Sequence, residues 1–230
     1  MKKNILILLV LPVILLGFTL PSVAGKPFEG LVTYKISYPG INLPAEQQGM
    51  LPKILTVSIK GTKSRTEIKT GMGNQIEIID YVSKTKIGLI DMMGQKLAVK
   101  NTTDDIEKEM KDAGDVKVTL TDETKTIAGY VCKKAVITVN NDGVESKLDA
   151  YYTSELGGKI SNFDNPYYKD IDGVLLEFSM KTEQFNMEFS ATSVEKKTVS
   201  AKDFEIPEGY KEVTPDELKK MFGGMGGGDK

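Results

Sequence analysis

The chain has 230 residues, a formal net charge of −2, no histidine and a single cysteine, Cys132. This balance offers no electrostatic reason to bind nucleic acid or an anionic membrane, and the lone cysteine excludes an internal disulfide. Without histidine, the commonest zinc ligand, the usual general base and every Ser-His-Asp or Cys-His triad are missing.

Residues 1–24 open the chain with Lys2 and Lys3, then the apolar run Ile5 to Leu16, then Leu20-Pro21-Ser22-Val23-Ala24 with small residues where a signal peptidase inspects. Pro12 and Gly17 interrupt a run already short of the ~20 residues of a spanning helix. No cysteine near Ala24 is available for a lipid anchor. The pattern predicts cleavage near Ala24 and an exported, periplasmic, soluble protein that works as a monomer. A single domain, 25–222, and a flexible Gly-rich tail, 223–230, follow.

From Phe28 to Tyr38 the residues alternate, with Val32, Tyr34, Ile36 and Tyr38 on one face, which predicts a strand with one polar side. Pro39-Gly40 and Leu43-Pro44 open a loop, with room for a short helix, to about Pro52. Ile54 to Lys60, with Leu55, Val57 and Ile59 aligned, and Ser64 to Thr70 form a hairpin across Gly61-Thr62. Short strands at Gln75 to Val82, Lys86 to Asp91 and Gln95 to Lys100 continue a meander. Thr102 to Ala113 combines a Thr cap, first-turn acids, Ile106 and Met110 at i and i+4, and Gly114 as a stop, so it predicts a surface helix.

Strands resume at Val116 to Leu120, Tyr130 to Val139 and Val144 to Thr153, the last two joined at Asn140-Asn141-Asp142-Gly143. Ser154 to Gly173 reads as a lid-like loop packed by Phe163, Tyr167 and Tyr168. Val174 to Thr182 and Phe185 to Val194 make the last hairpin, where Leu176, Phe178 and Met180 meet Phe185, Met187 and Phe189. Thr214-Pro215-Asp216-Glu217 is a capping box with Pro at N1, opening a brief helix to Phe222. The whole predicts a mainly β (α+β) fold: a strongly curved antiparallel sheet or half-open barrel covered by a few short helices.

Chemistry is sparse in this pattern. Asp104-Asp105 suits the positive end of a helix, Asp170 with Asp172 lacks the further oxygens of a calcium loop, and the glycines of TGMGNQ do not lead a strand into a helix as a phosphate cradle would. Cys132 has only Lys133 and Lys134 as activating neighbours and reads as a buried thiol. Arg65, the single arginine, is either an exposed charge or a clamp on loop carbonyls or a carboxylate. No catalytic residue, metal or cofactor is predicted, and the chain is read as a non-enzyme.

Several stretches carry a resemblance: FEGLVTYKISY, LTVSIKGTKSRTEI, LIDMMGQKLAV, TKTIAGYVCKKAVI, NPYYKDIDGVLLEF and DFEIPEGYKEVT. Together they resemble a family of exported bacterial proteins of unknown function, whose fold is similar to that of the periplasmic lipoprotein carriers LolA and LolB. The link to the carriers rests on strand order and on Phe204, Ile206, Pro207, Gly209 and Tyr210. It implies an apolar hollow for acyl chains, and a role for Arg65 in cargo release.

Thioether side chains adapt to irregular apolar surfaces, and a closing sheet leaves room inside. The expected lining is Val32, Tyr34, Ile36, Leu55, Val57, Ile59, Ile76, Ile78, Leu176, Phe178, Met180, Phe185, Met187 and Phe189. The expected function is binding or carriage of a lipid, a lipoprotein acyl chain or another apolar ligand. The alternative is a non-catalytic envelope scaffold with a filled core that meets a protein partner through its loops.

Overall fold

The computed structural model describes residues 27–70, 73–92, 94–112, 114–141, 144–181 and 186–223. The predicted signal segment 1–24, Met72, Phe185 and all of the tail except Gly223 lie outside the described residues. Six strands run out from the middle of the sheet in chain order: β1 (Glu29–Ser37), β2 (Ile54–Lys60), β3 (Lys63–Thr70), β4 (Gly73–Asp80), β5 (Thr85–Met92) and β6 (Gln95–Asn101). Helix α1 (Ala45–Met50) lies in the β1–β2 connection, and α2 (Thr103–Asp112) follows β6.

The chain then restarts at the far edge with β7 (Asp115–Ile127) and steps back through β8 (Tyr130–Asn141), β9 (Val144–Thr153), β10 (Val174–Lys181) and β11 (Asn186–Lys196). Strand β11 pairs with β1, so two meanders meet at one seam. Strand β12 (Lys211–Val213) adds to β6, and α3 (Pro215–Gly223) closes the described chain. The result is a twelve-stranded sheet with β12 and β7 as its edges, antiparallel throughout except for the β12–β6 pair. The fold is mainly β with few helices, and the sheet is not closed.

Alternation makes these strands: in β1, Val32, Tyr34 and Ile36 are buried while Lys35 and Ser37 are exposed. Burying such side chains contributes roughly 1.5–3 kcal/mol each. Two elements depart from expectation. Strand β7 runs on to Ile127 because a bulge between Leu120 and Thr124 absorbs residues that break the alternation, after which pairing with β8 resumes. Strand β12 is only three residues long and buries Val213 alone, too short to leave a period-2 signal.

The helix starts follow their sequence cues. Thr214 N–H donates to Glu217 at 2.7 Å and Glu217 N–H returns to Thr214 Oγ1 at 3.2 Å, a reciprocal capping box. At α2, Asp105 accepts from the Thr102 N–H and hydroxyl, both at 2.8 Å. These bonds hold the Asp105 and Glu217 carboxyls below the usual carboxylate range.

Between β9 and β10 the chain forms two 3₁₀ turns, Ser154–Leu156 and Lys159–Asn162, and then packs onto the sheet. Tyr168 and Ile171 are wholly buried, and the Tyr168 hydroxyl donates to the Ser179 carbonyl. The segment also reaches the other meander: Phe163 meets Tyr81 edge-on at 6.1 Å, and Asp164 pairs with Lys86 at 3.6 Å. Buried Asn162 ties the second turn to the end of the segment, donating to Ile171 O at 3.0 Å and Gly173 O at 2.8 Å. Asn162→Ala leaves both carbonyls short of a donor and is expected to cost about 1–3 kcal/mol. Urea unfolding should show a lower midpoint at unchanged slope.

Candidate functional site: a charged belt around Tyr151

Most of the expected lining residues come together. Val32, Tyr34, Ile36, Leu55, Ile59, Leu176 and Phe189 form one buried cluster with Ile127, Cys132, Leu156 and Ala191, and Val57, Phe178 and Met187 pack against it half-buried. Phe178 stacks on Phe189 at 4.7 Å and meets Tyr34 edge-on at 6.0 Å. Ile76 and Ile78 belong to a separate cluster, with Leu89, Ala98, Val199 and Phe204. Met180 is 42% exposed, near the end of the β10–β11 hairpin opposite Met187.

Arg65 is mostly shielded. Its guanidinium donates to the Asp203 carbonyl at 3.2 Å and to Glu67 at 3.4 Å, tying β3 to the 3₁₀ turn Ala201–Phe204. Cys132 is fully buried, and burial pushes its thiol up to about 11, so it stays protonated at neutral pH.

Titratable chemistry gathers on the opposite side of the strands. Lys134, Tyr151, Glu177, Ser190 and Lys35 face one another in register across β8, β9, β10, β11 and β1. Cross-strand partners share a face, and their chain neighbours Tyr152, Phe178, Phe189 and Ile36 point the other way. Three bulges fall along this row: at Thr121–Glu123 in β7, between Leu175 and Glu177 in β10, and where Thr33 and Tyr34 pair with β11. Bulges re-aim side chains and are frequent beside functional sites.

The β7 bulge turns Glu123 toward the row, where it accepts from the Tyr151 hydroxyl and from Lys134 Nζ at 3.3 Å. Lys134 also reaches Asp149 at 2.9 Å. Lys125 Nζ donates to both oxygens of Glu177 at 2.8 Å, and the Ser190 hydroxyl adds a bond to Glu177 at 3.3 Å. The amines of Lys125 and Lys134 lie 5.2 and 5.9 Å from the centre of the Tyr151 ring, close enough for cation–π attraction.

These contacts set protonation. The Tyr151 hydroxyl first, and the Lys134 amine second, hold the Glu123 carboxyl below its ordinary value. Donation to Glu123, with some burial, raises the Tyr151 phenol. The Asp149 carboxylate, bonded to the amine, is the main cause that pushes Lys134 up to about 12; burial opposes it, and Glu123 adds a smaller upward push. Because the folded Glu123 value is depressed, the bonds contribute above the ordinary carboxylate range and are lost as pH falls through the lowered value. Tyr151→Phe removes the largest cause, so the Glu123 carboxyl should titrate at higher pH in that variant. Carbon-detected NMR titration checks this, and an unmoved midpoint would refute it.

The belt escaped sequence reading because Glu123, Lys134, Asp149, Tyr151 and Glu177 come from four strands and look like ordinary solvated positions one at a time. The signal lay in alternation: the strands that bury Ala150, Tyr152 and Phe189 must present Asp149, Tyr151 and Ser190 on the reverse face.

An open, mainly antiparallel sheet with an aromatic residue caged by paired charges defines a β-sheet domain with a polar site on its strands. Residues 96–218, from β6 into α3, match the family described as N-glycanase peptide, N-terminal domain. The match covers more than half of the chain, and the chain belongs to this family. All belt residues but Lys35 lie within it, whereas Arg65 and the expected lining of β1, β2 and β4 lie outside. A comparison with curated proteins finds no match.

Family membership corrects three expectations. The resemblance to a family of unknown function gives way to a named one, and the likeness to LolA and LolB, with the lipid-carrier role it implied, is not upheld. The short stretches behind it, such as Phe204 to Tyr210, reflect core packing here: Phe204, Ile206 and Tyr210 pack with the cluster around Ile78. The reading as a non-enzyme is overturned too, because the family takes its name from an N-glycanase, an enzyme. The absence of histidine, which carried that reading, does not bear on carboxylate chemistry.

Proposed function

We propose that the chain acts on N-glycosylated proteins as the sheet domain of an N-glycanase-type protein. The observation that carries this reading is the family match over residues 96–218. A site built from carboxylates, amines and an aromatic ring agrees with it, since such groups pair with hydroxyl-rich ligands. Export fits as well, and the features of residues 1–24 supply the signal.

We infer further that the sheet is strongly curved, like part of a barrel. Strands β6 and β7 stand ten pairings apart in the sheet, which is ~48 Å if flat at about 4.8 Å per strand. Helix α2, at ~1.5 Å per residue, and three further residues at ~3.5 Å each span about 25 Å. Curling is the means by which so short a connection joins the two strands.

The test compares one N-glycoprotein with its deglycosylated form. The purified protein should retain the glycosylated form on an affinity column, or shift its mass by release of glycan. Equal behaviour toward both forms, with no glycan released, would overturn the reading.

A further inference from the structure

We propose that the belt around Tyr151 is a binding site for the neutral saccharide part of an N-glycopeptide. This rests on the N-glycanase reading above and adds the site, the residues and the ligand's charge class.

A saccharide offers an apolar face of ring C–H groups and an edge of hydroxyls that both donate and accept. The belt supplies a counterpart to each. Tyr151 stands half-buried in the middle of the row, and its hydroxyl is fixed by Glu123, so the ring is oriented before any ligand arrives. Glu177 and Asp149 are carboxylates able to accept from hydroxyls, and Lys125 and Lys134 are amines able to donate.

Charge selects among ligand classes. Along the row Glu123, Asp149 and Glu177 balance Lys35, Lys125 and Lys134, three against three. A phosphate or sulfate would meet as much repulsion as attraction, and so would a cationic peptide. A neutral, polyhydroxylated ligand exchanges hydrogen bonds with both signs and leaves no charge unpaired. Lys125, 47% exposed, shares Glu177 with Ser190 and can swing off the ring while Ser190 keeps the carboxylate in place.

The alternative for such a network is a solvated set of surface pairs worth little. Calorimetric titration of the full chain with an asparagine-linked neutral oligomannose glycopeptide separates the two. Wild type should bind, and Tyr151→Ala and Glu177→Gln should each weaken binding about tenfold or more, the scale of a central contact residue. Glu177→Gln keeps the shape of the side chain, and unchanged circular dichroism in both variants excludes loss of fold. Variants that bind as wild type does would overturn the site while leaving the N-glycanase reading intact. Wild type that ignores the glycopeptide yet distinguishes glycoprotein from its deglycosylated form would likewise overturn the site alone. Failure in both assays would remove site and reading together.

Discussion

Alanine at Gly30 is expected to lower stability by about 3 kcal/mol, the upper end for an overpacked core. Gly30 sits in β1 opposite Lys196 of β11 and Ile59 of β2. An added Cβ would overlap the carbonyl oxygen of Glu195 and lie 2.8 Å from Phe28 Cζ. The Phe28 ring could turn into the cleft of about 590 Å³ that it lines with Glu29, Lys60 and Lys196. The Glu195 carbonyl cannot, because it belongs to a strand held in register with β1. Relief therefore requires the β1–β11 pairing to open, and that pairing is the joint between the two meanders. Nearby, Lys60 bonds Glu29 at 2.6 Å and Val199 O at 2.8 Å, so the same shift disturbs the segment after β11. Urea unfolding should show the loss, and amide exchange should quicken first in β1 and β11. Gly30→Ala with a midpoint like that of wild type would mean the seam tolerates spreading.

How much of this was legible from sequence depended on the range of the determining interaction. Strands β1 to β6 and the α2 and α3 starts were readable because alternation and caps are local. So were the burial of Tyr34 and Phe189 and the packing of half-buried Phe178 against them. The extension of β7 through Glu123 was not, because a bulge breaks period 2 where a reader looks for it. Strand β12 is three residues paired in parallel with β6, too few to show alternation. The belt needed register: Tyr151 meets Glu123 through a bond between residues 28 positions apart, and Lys125 meets Glu177 across 52. Reading the polar faces as merely solvated hid a cluster that the apolar faces had already aligned.

Phe189→Ala should be the most destabilising single truncation at the inner face, by about 3–5 kcal/mol. Phe189 is 2% exposed and lies nearly parallel to Phe178, with an interplanar angle of 8°. Phe178 in turn meets Tyr34 and Tyr168 edge-on, each at 6.0 Å, and such aromatic pairs add about 0.5–1.5 kcal/mol beyond area. Tyr34 cannot tilt into the space, since its hydroxyl donates to Leu175 O at 2.8 Å, and Tyr168 is anchored on Ser179 O. With both neighbours tethered, the cavity collapses poorly, which is the condition for the high end of the range. Tyr168 carries the segment over β10, so exchange of amides in 159–173 should quicken in the same variant. Phe189→Leu, which refills much of the volume, should recover more than half of the loss. A cost below about 2 kcal/mol for Phe189→Ala, less than truncation of a packed aromatic, would mean that this face is loosely filled. In that case the inner face, and not only the belt, would have room for a ligand.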